Sequence, residues 1–154
     1  MNANRTRRGF TLIEILLVIA ILGMLAAVLA VVIFPKLSGA KYDITVLKVQ
    51  TKIPGALNEY SLGVGHFPTE EEGGLKALLT QPTFQDETLA AKWRGPYLKE
   101  GDLKDGWERD INYEVVDPGS TEAVTDGYKV WSNGKDGQSG NEDDIRSWKE
   151  QSGV

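Results

Sequence analysis

Cysteine is absent from this chain of 154 residues, and histidine occurs once, as His66. The first absence excludes a disulfide framework, a thiolate metal site and a cysteine nucleophile. The second excludes a histidine zinc cluster and a proton-shuttling histidine pair. Charge is scarce early in the chain: residues 10–35 carry only Glu14. Acid is missing from residues 1–9, which carry Arg5, Arg7 and Arg8. A basic cluster is missing from residues 36–154, where 14 lysines and arginines are scattered among 21 aspartates and glutamates. Neutralising phosphates needs such a cluster, so nucleic acid is not an expected partner. With 41% apolar and 25% charged residues, wholesale disorder is excluded.

What is present is one long greasy segment. In residues 10–34 the strongly polar members are Thr11 and Glu14. As a helix this run is about 37 Å long, against a bilayer core of about 30 Å. It can therefore span a membrane. Arginines before it and acids after it put the N-terminus in the cytoplasm by the positive-inside rule. A cleaved secretory signal would have a shorter apolar core, and a twin-arginine signal could use Arg7-Arg8. Neither these nor a plain anchor explains Glu14, because a carboxylate in an apolar segment costs about 3 kcal/mol and needs a partner.

The residues around Glu14 carry a resemblance. Arg8-Gly9-Phe10-Thr11-Leu12-Ile13-Glu14 resembles the leader of type IV pilins and pseudopilins. It implies that a prepilin peptidase cuts between Gly9 and Phe10 and methylates Phe10. Residues 1–9 are then the leader, 10–35 the transmembrane and filament-core helix, and 36–154 the globular domain. Glu14 becomes an assembly residue, able to pair in a greasy filament core with the cationic amine of a neighbouring subunit.

Beyond Pro35, the residues Leu37, Ala40, Ile44 and Leu47, then Ile53, Leu57 and Tyr60, recur at helical spacing and read as an amphipathic continuation. Pro35 is expected to kink the helix near the membrane surface, about one turn later than the family's usual proline. Pro54 removes the bond to the Gln50 carbonyl, so a second kink is expected there. Gly63-Val64-Gly65 ends the helix. His66 reads as a loop residue beside Phe67, and Glu70, Glu71 and Glu72 as a helix N-terminus. Short helices are expected around residues 75–79 and 86–92. Residues 111–115 and 128–132 alternate as strands, with Asp117-Pro118-Gly119 as a turn. The expected fold is α+β, pilin-like: a long N-terminal helix packed on a small antiparallel sheet. Trp93, Trp107, Trp131 and Trp148 supply its core or rim.

Residues 133–144 hold four carboxylates and three glycines. Calcium takes six to eight oxygens, but the spacing is not that of an EF-hand. By composition alone, the segment reads first as a solvated acidic turn, with calcium as the alternative. Asp105-Gly106-Trp107, the strand pair, Ser132-Asn133-Gly134-Lys135-Asp136-Gly137 and Glu142-Asp143-Asp144-Ile145 with Trp148 resemble the major pseudopilin of type II secretion. That family often has Asp-Pro-Trp where this chain has Asp105-Gly106-Trp107. The resemblance implies a structural calcium held by Asp136, Asp143 and Asp144, with backbone oxygens of Trp131 and Ser139.

The expected function is that of a structural subunit. It polymerises through its N-terminal helix into a homo-oligomeric pseudopilus that exports folded proteins across the outer membrane. The resemblance implies prepilin peptidase, minor pseudopilins and an inner-membrane assembly platform as partners. It also implies an inner-membrane, single-pass location with a periplasmic C-terminal domain. The alternative is a type IV pilin of a surface fibre for adhesion, motility or DNA uptake. A membrane-anchored enzyme using Asp143 and Asp144 finds no other converging catalytic group.

Overall fold

The computed structural model describes residues 10–116 and 127–148. The chain divides into two compact units that meet at Gly39 and Ala40. In the first, helix α1 (Leu12–Leu47) begins, and the chain stays α-helical across Pro35. Leu12, Ile15, Leu16, Ile19, Leu22 and Leu25 are each at least half exposed, and no residue from 10 to 33 is buried. α1 opens a helical stretch of 53 residues, Leu12–Val64, long and apolar enough at its start to cross a membrane.

In the second unit the α-helix widens into a π turn, Lys48–Lys52, and α2 (Ile53–Val64) succeeds it. This is how the chain accommodates Pro54. The Ile53 amide reaches back to Lys48 O, five residues away, so the π turn directly precedes Pro54, which stands in the first turn of α2. Gly65, in the left-handed region at φ 101°, closes α2 by donating to Ser61 O.

The expected helix face divides in two. Thr45, Val49, Ile53, Leu57, Tyr60 and Val64 are buried, whereas Ile44 and Leu47 are 50% and 58% exposed. Leu37 and Ala40 are exposed as well. Ile44 and the buried Thr45 are neighbours within α1, about 100° apart at 3.6 residues per turn. The two apolar runs therefore lie on different faces, and the second one packs inward.

That inward face meets a three-stranded antiparallel sheet of order β1-β2-β3. β1 (Asn112–Val115) pairs with β2 (Tyr128–Ser132) from Asn112 opposite Trp131 to Val115 opposite Tyr128. β3 (Ile145–Arg146) joins the other edge of β2. Tyr128, Val130 and Ser132 are buried, while Lys129 and Trp131 alternate onto the outer face. Val130 and Leu78 close the core over Ile53, Leu57 and Tyr60, all five fully buried. Burying each such side chain stabilises by about 1.5–3 kcal/mol.

The expected short helices are a 3₁₀ turn at Gly74–Leu78 and α3 (Glu87–Ala90), whose N-cap Asp86 accepts from the Thr88 amide. Trp93 and Trp107 sit at the core margin, and Trp131 and Trp148 form an edge-to-face pair at the rim. His66 lies in the loop after α2, as expected. Its Nε2 lies 2.8 Å from Glu72 Oε1 and its ring is edge-on to Tyr60, while Phe67 packs on Tyr128. Glu72 is drawn inward because its Oε2 also accepts from Tyr60 Oη and the Thr69 amide. The turn expected at residues 117–119 lies outside the described residues.

Candidate functional site

Two places hold the side chains that the sequence offers as functional. Gly9, on one side of the expected cleavage point, lies outside the described residues. Phe10 is 80% exposed, and Glu14 stands in the first turn of α1. There the carboxylate accepts a long 3.5 Å hydrogen bond from the Thr11 amide, a favourable place for an anion at a helix start. Glu14 thus stands at the N-terminal end of the helix, one turn from Phe10, where the helix dipole favours a negative charge.

The second place is the acidic loop. It is built on a junction that the sequence did not reveal. Asp105 is only 2% exposed, and its carboxylate is fully engaged. Oδ1 accepts from the Trp107 and Arg109 amides at 2.8 and 2.9 Å, and Oδ2 accepts from Ser132 Oγ at 2.8 Å. The Gly106 amide donates to Thr45 Oγ1, which itself donates to Lys41 O, both at 2.8 Å. Residues 105–109 are thereby fastened to α1 on one side and to β2 on the other.

From Ser132 the chain enters the loop. The Gly134 amide donates to Ser132 Oγ, and Gly134 has φ 59°. A Cβ there would strike the backbone of Asp143, so glycine permits the loop to fold on itself. The Asp136 amide then donates to Asp143 Oδ2 at 3.0 Å. That hydrogen bond, foremost, holds the Asp143 carboxyl below the usual carboxylate range. Asp136 accepts from the Gln138 amide and from Asn141 Nδ2, each at 2.8 Å.

Asp144 differs. Its side chain is 2% exposed; Oδ2 accepts from the Gly140 amide at 2.8 Å and from Arg146 at 3.2 Å. Oδ1 is buried and has no hydrogen-bond partner among the described residues. A buried carboxylate oxygen without a partner is costly and marks a place for a cation or a donor. Asp144 lines a cavity of about 210 Å³ together with Trp131 and Ser139, the residues expected to offer backbone oxygens. Asp136 and Asp143 do not line that cavity, and no three acidic or histidine side chains among the described residues converge as a metal cluster. Both Asp136 oxygens and Asp143 Oδ2 accept from loop donors, which composition could not show. Asp144 Oδ1 is thus open to a cation as the loop stands, while Asp136 and Asp143 are oriented by loop donors outside that cavity.

Comparison with known proteins agrees with both ends of the chain. The family described as "Type II secretion system (T2SS), protein G" matches residues 32–148, and the "Prokaryotic N-terminal methylation motif" matches residues 4–30. The chain is 39% identical over 155 residues to the type II secretion system core protein G of Escherichia coli, covering 96% of this chain and 95% of that one. It is 36% identical to the protein of the same name from Pseudomonas aeruginosa, over 94% and 96% of the two chains. Among solved structures, it resembles the crystal structure of the major pseudopilin from the type 2 secretion system of enterohaemorrhagic Escherichia coli. That match has TM-score 0.54 and 27% identity, and covers 75% of this chain and 89% of that one.

Proposed function

The chain belongs to the protein G family of type II secretion systems, and from that premise we propose how this pseudopilin works. It is a structural subunit of the pseudopilus, polymerising through its N-terminal hydrophobic helix, with the pilin-like fold of its structural relative. One observation carries the mechanism: no residue from 10 to 33 is buried within the chain itself. Apolar surface of that extent must be covered by lipid before assembly and by other copies afterwards. Its role is structural, not enzymatic. A surface fibre, the alternative drawn from the sequence, is not favoured by relatives that are core proteins of type II secretion.

Prepilin peptidase removes residues 1–9 and methylates Phe10. The subunit waits in the inner membrane with its N-terminus cytoplasmic and residues 36–154 periplasmic. Glu14 then selects the register of an incoming helix, because a desolvated carboxylate is costly until it meets the Phe10 amine of a neighbour. The assembly platform and minor pseudopilins supply the growing end.

The acidic loop holds calcium through Asp136, Asp143 and Asp144, with backbone oxygens of Trp131 and Ser139. The unpartnered Asp144 Oδ1 supports this assignment. The ion supplies positive charge among crowded carboxylates. The chain's own residues do the positioning: Ser132 and Gly134 set the loop's entry and Ile145 pairs its exit to β2.

The test is secretion. In a strain lacking its own protein G, this chain is expected to restore release of folded cargo to the medium. Cargo left in the periplasm, with the chain expressed and processed, would contradict the proposal.

A further inference from the structure

We propose that Arg109 is a positioning residue for the acidic loop, its guanidinium fork fixing the turn at residues 134–137 that presents Asp136 to Asp143. This rests on the calcium reading of the loop given above. Nη1 donates to Gly134 O at 2.7 Å and Nη2 to Lys135 O at 3.0 Å. Two neighbouring carbonyls held by one planar group is a match for arginine and not for lysine, whose ammonium is a point donor. The third contact is steric. Gly137, at φ 78°, lies so close that a Cβ there would be 2.8 Å from Arg109 Cζ.

The fork is aimed by its own turn. The Arg109 amide donates to buried Asp105, and Arg109 O accepts from the Asp105 amide at 2.8 Å. Glu108, just before it, adopts φ 65°, a left-handed conformation that a non-glycine residue adopts only at a cost. That cost is met where the chain must turn Arg109 toward the loop. With the Gly134 and Lys135 carbonyls drawn to the guanidinium, the next amide, that of Asp136, faces Asp143 Oδ2. Ligand carboxylates are thus set by a group that does not itself offer the ion an oxygen.

A competing role is purely electrostatic: a cation beside carboxylates lowers their attraction for calcium. The two roles predict opposite outcomes. Calcium chloride is titrated calorimetrically into the full-length chain in detergent micelles, for the parent, Arg109→Lys and Arg109→Gln. Positioning predicts that both variants bind about tenfold or more weakly, since the loss of a group that orients a ligand typically has that effect. A Lys variant equal to the parent, or a Gln variant that binds more tightly, would overturn the proposal. Amide exchange at residues 134–138 is measured on the same samples without calcium. Faster exchange in both variants is expected, and unchanged exchange would overturn the positioning role. If the parent takes up no calcium, the calcium reading fails, and the exchange data still decide the role of Arg109.

Discussion

Ser132 Oγ donates to Asp105 Oδ2 at 2.8 Å, and through that buried contact the central strand of the sheet grips the turn that docks on α1. Removing the carboxylate strands the Trp107 and Arg109 amides and the Ser132 hydroxyl. Asp105→Ala is expected to lower unfolding stability by about 3 kcal/mol. Chemical denaturation measures it. A loss under about 0.5 kcal/mol, the range of ordinary surface changes, would show that the junction is dispensable.

Gly106 sits so close to α1 that the structure leaves no room for a side chain. A Cβ on Gly106 would collide with Lys41 O and come within 2.8 Å of Lys41 C, and the Gly106 amide is committed to Thr45 Oγ1. Gly106→Ala is expected to destabilise by about 2 kcal/mol through the collision. Gly106→Pro should cost more, because it also deletes the amide donor. Thermal melts of the two variants test this order. A proline variant as stable as the parent would refute the close approach.

Burial, followed by the nearby Glu72 charge, pushes the Tyr60 hydroxyl well above its ordinary pKa, and burial likewise raises Tyr113. In the unfolded chain both ionise near pH 10. Because the folded values are raised, this contribution to stability is complete below about pH 10 and is lost as pH rises beyond it. Absorbance titration should therefore show a tyrosine fraction still protonated above pH 10, and a smaller one in Tyr60→Phe. A single step near pH 10 for all tyrosines would contradict the buried placement.

Calcium binding by the folded loop should raise stability by about 2.7 kcal/mol at a hundred times its dissociation constant. The melting temperature is expected to fall on adding chelator, and Asp144→Asn should abolish the difference. Equal melting with calcium and with chelator would remove the ion from the account.

Much of this architecture is legible in the amino-acid sequence. The uninterrupted apolar run and the period-two strands are local signals that fall where expected, and the stretch around Glu14 lies within the match to the N-terminal methylation motif. β3 escapes notice because two residues carry no period. Helical spacing shows that apolar faces exist beyond Pro35, but not that Ile44 and Ile53 belong to different ones. The Thr45–Gly106 and Asp105–Ser132 contacts join residues 61 and 27 apart, and no local pattern encodes such pairings. Composition crowds the carboxylates of the acidic loop, while the folding of the loop decides that a buried oxygen of Asp144 is left without a partner among the described residues.

The central claim is that this chain assembles through its processed N-terminal helix. The most direct measurement is mass analysis and electron microscopy of material sheared from cells carrying the secretion platform and prepilin peptidase. The account predicts filaments whose subunits begin at methylated Phe10. It also predicts that Glu14→Ala inserts into the membrane normally but disappears from the sheared fraction. Filaments of Glu14→Ala equal to those of the parent, or a parent chain that is never cut after Gly9, would contradict it.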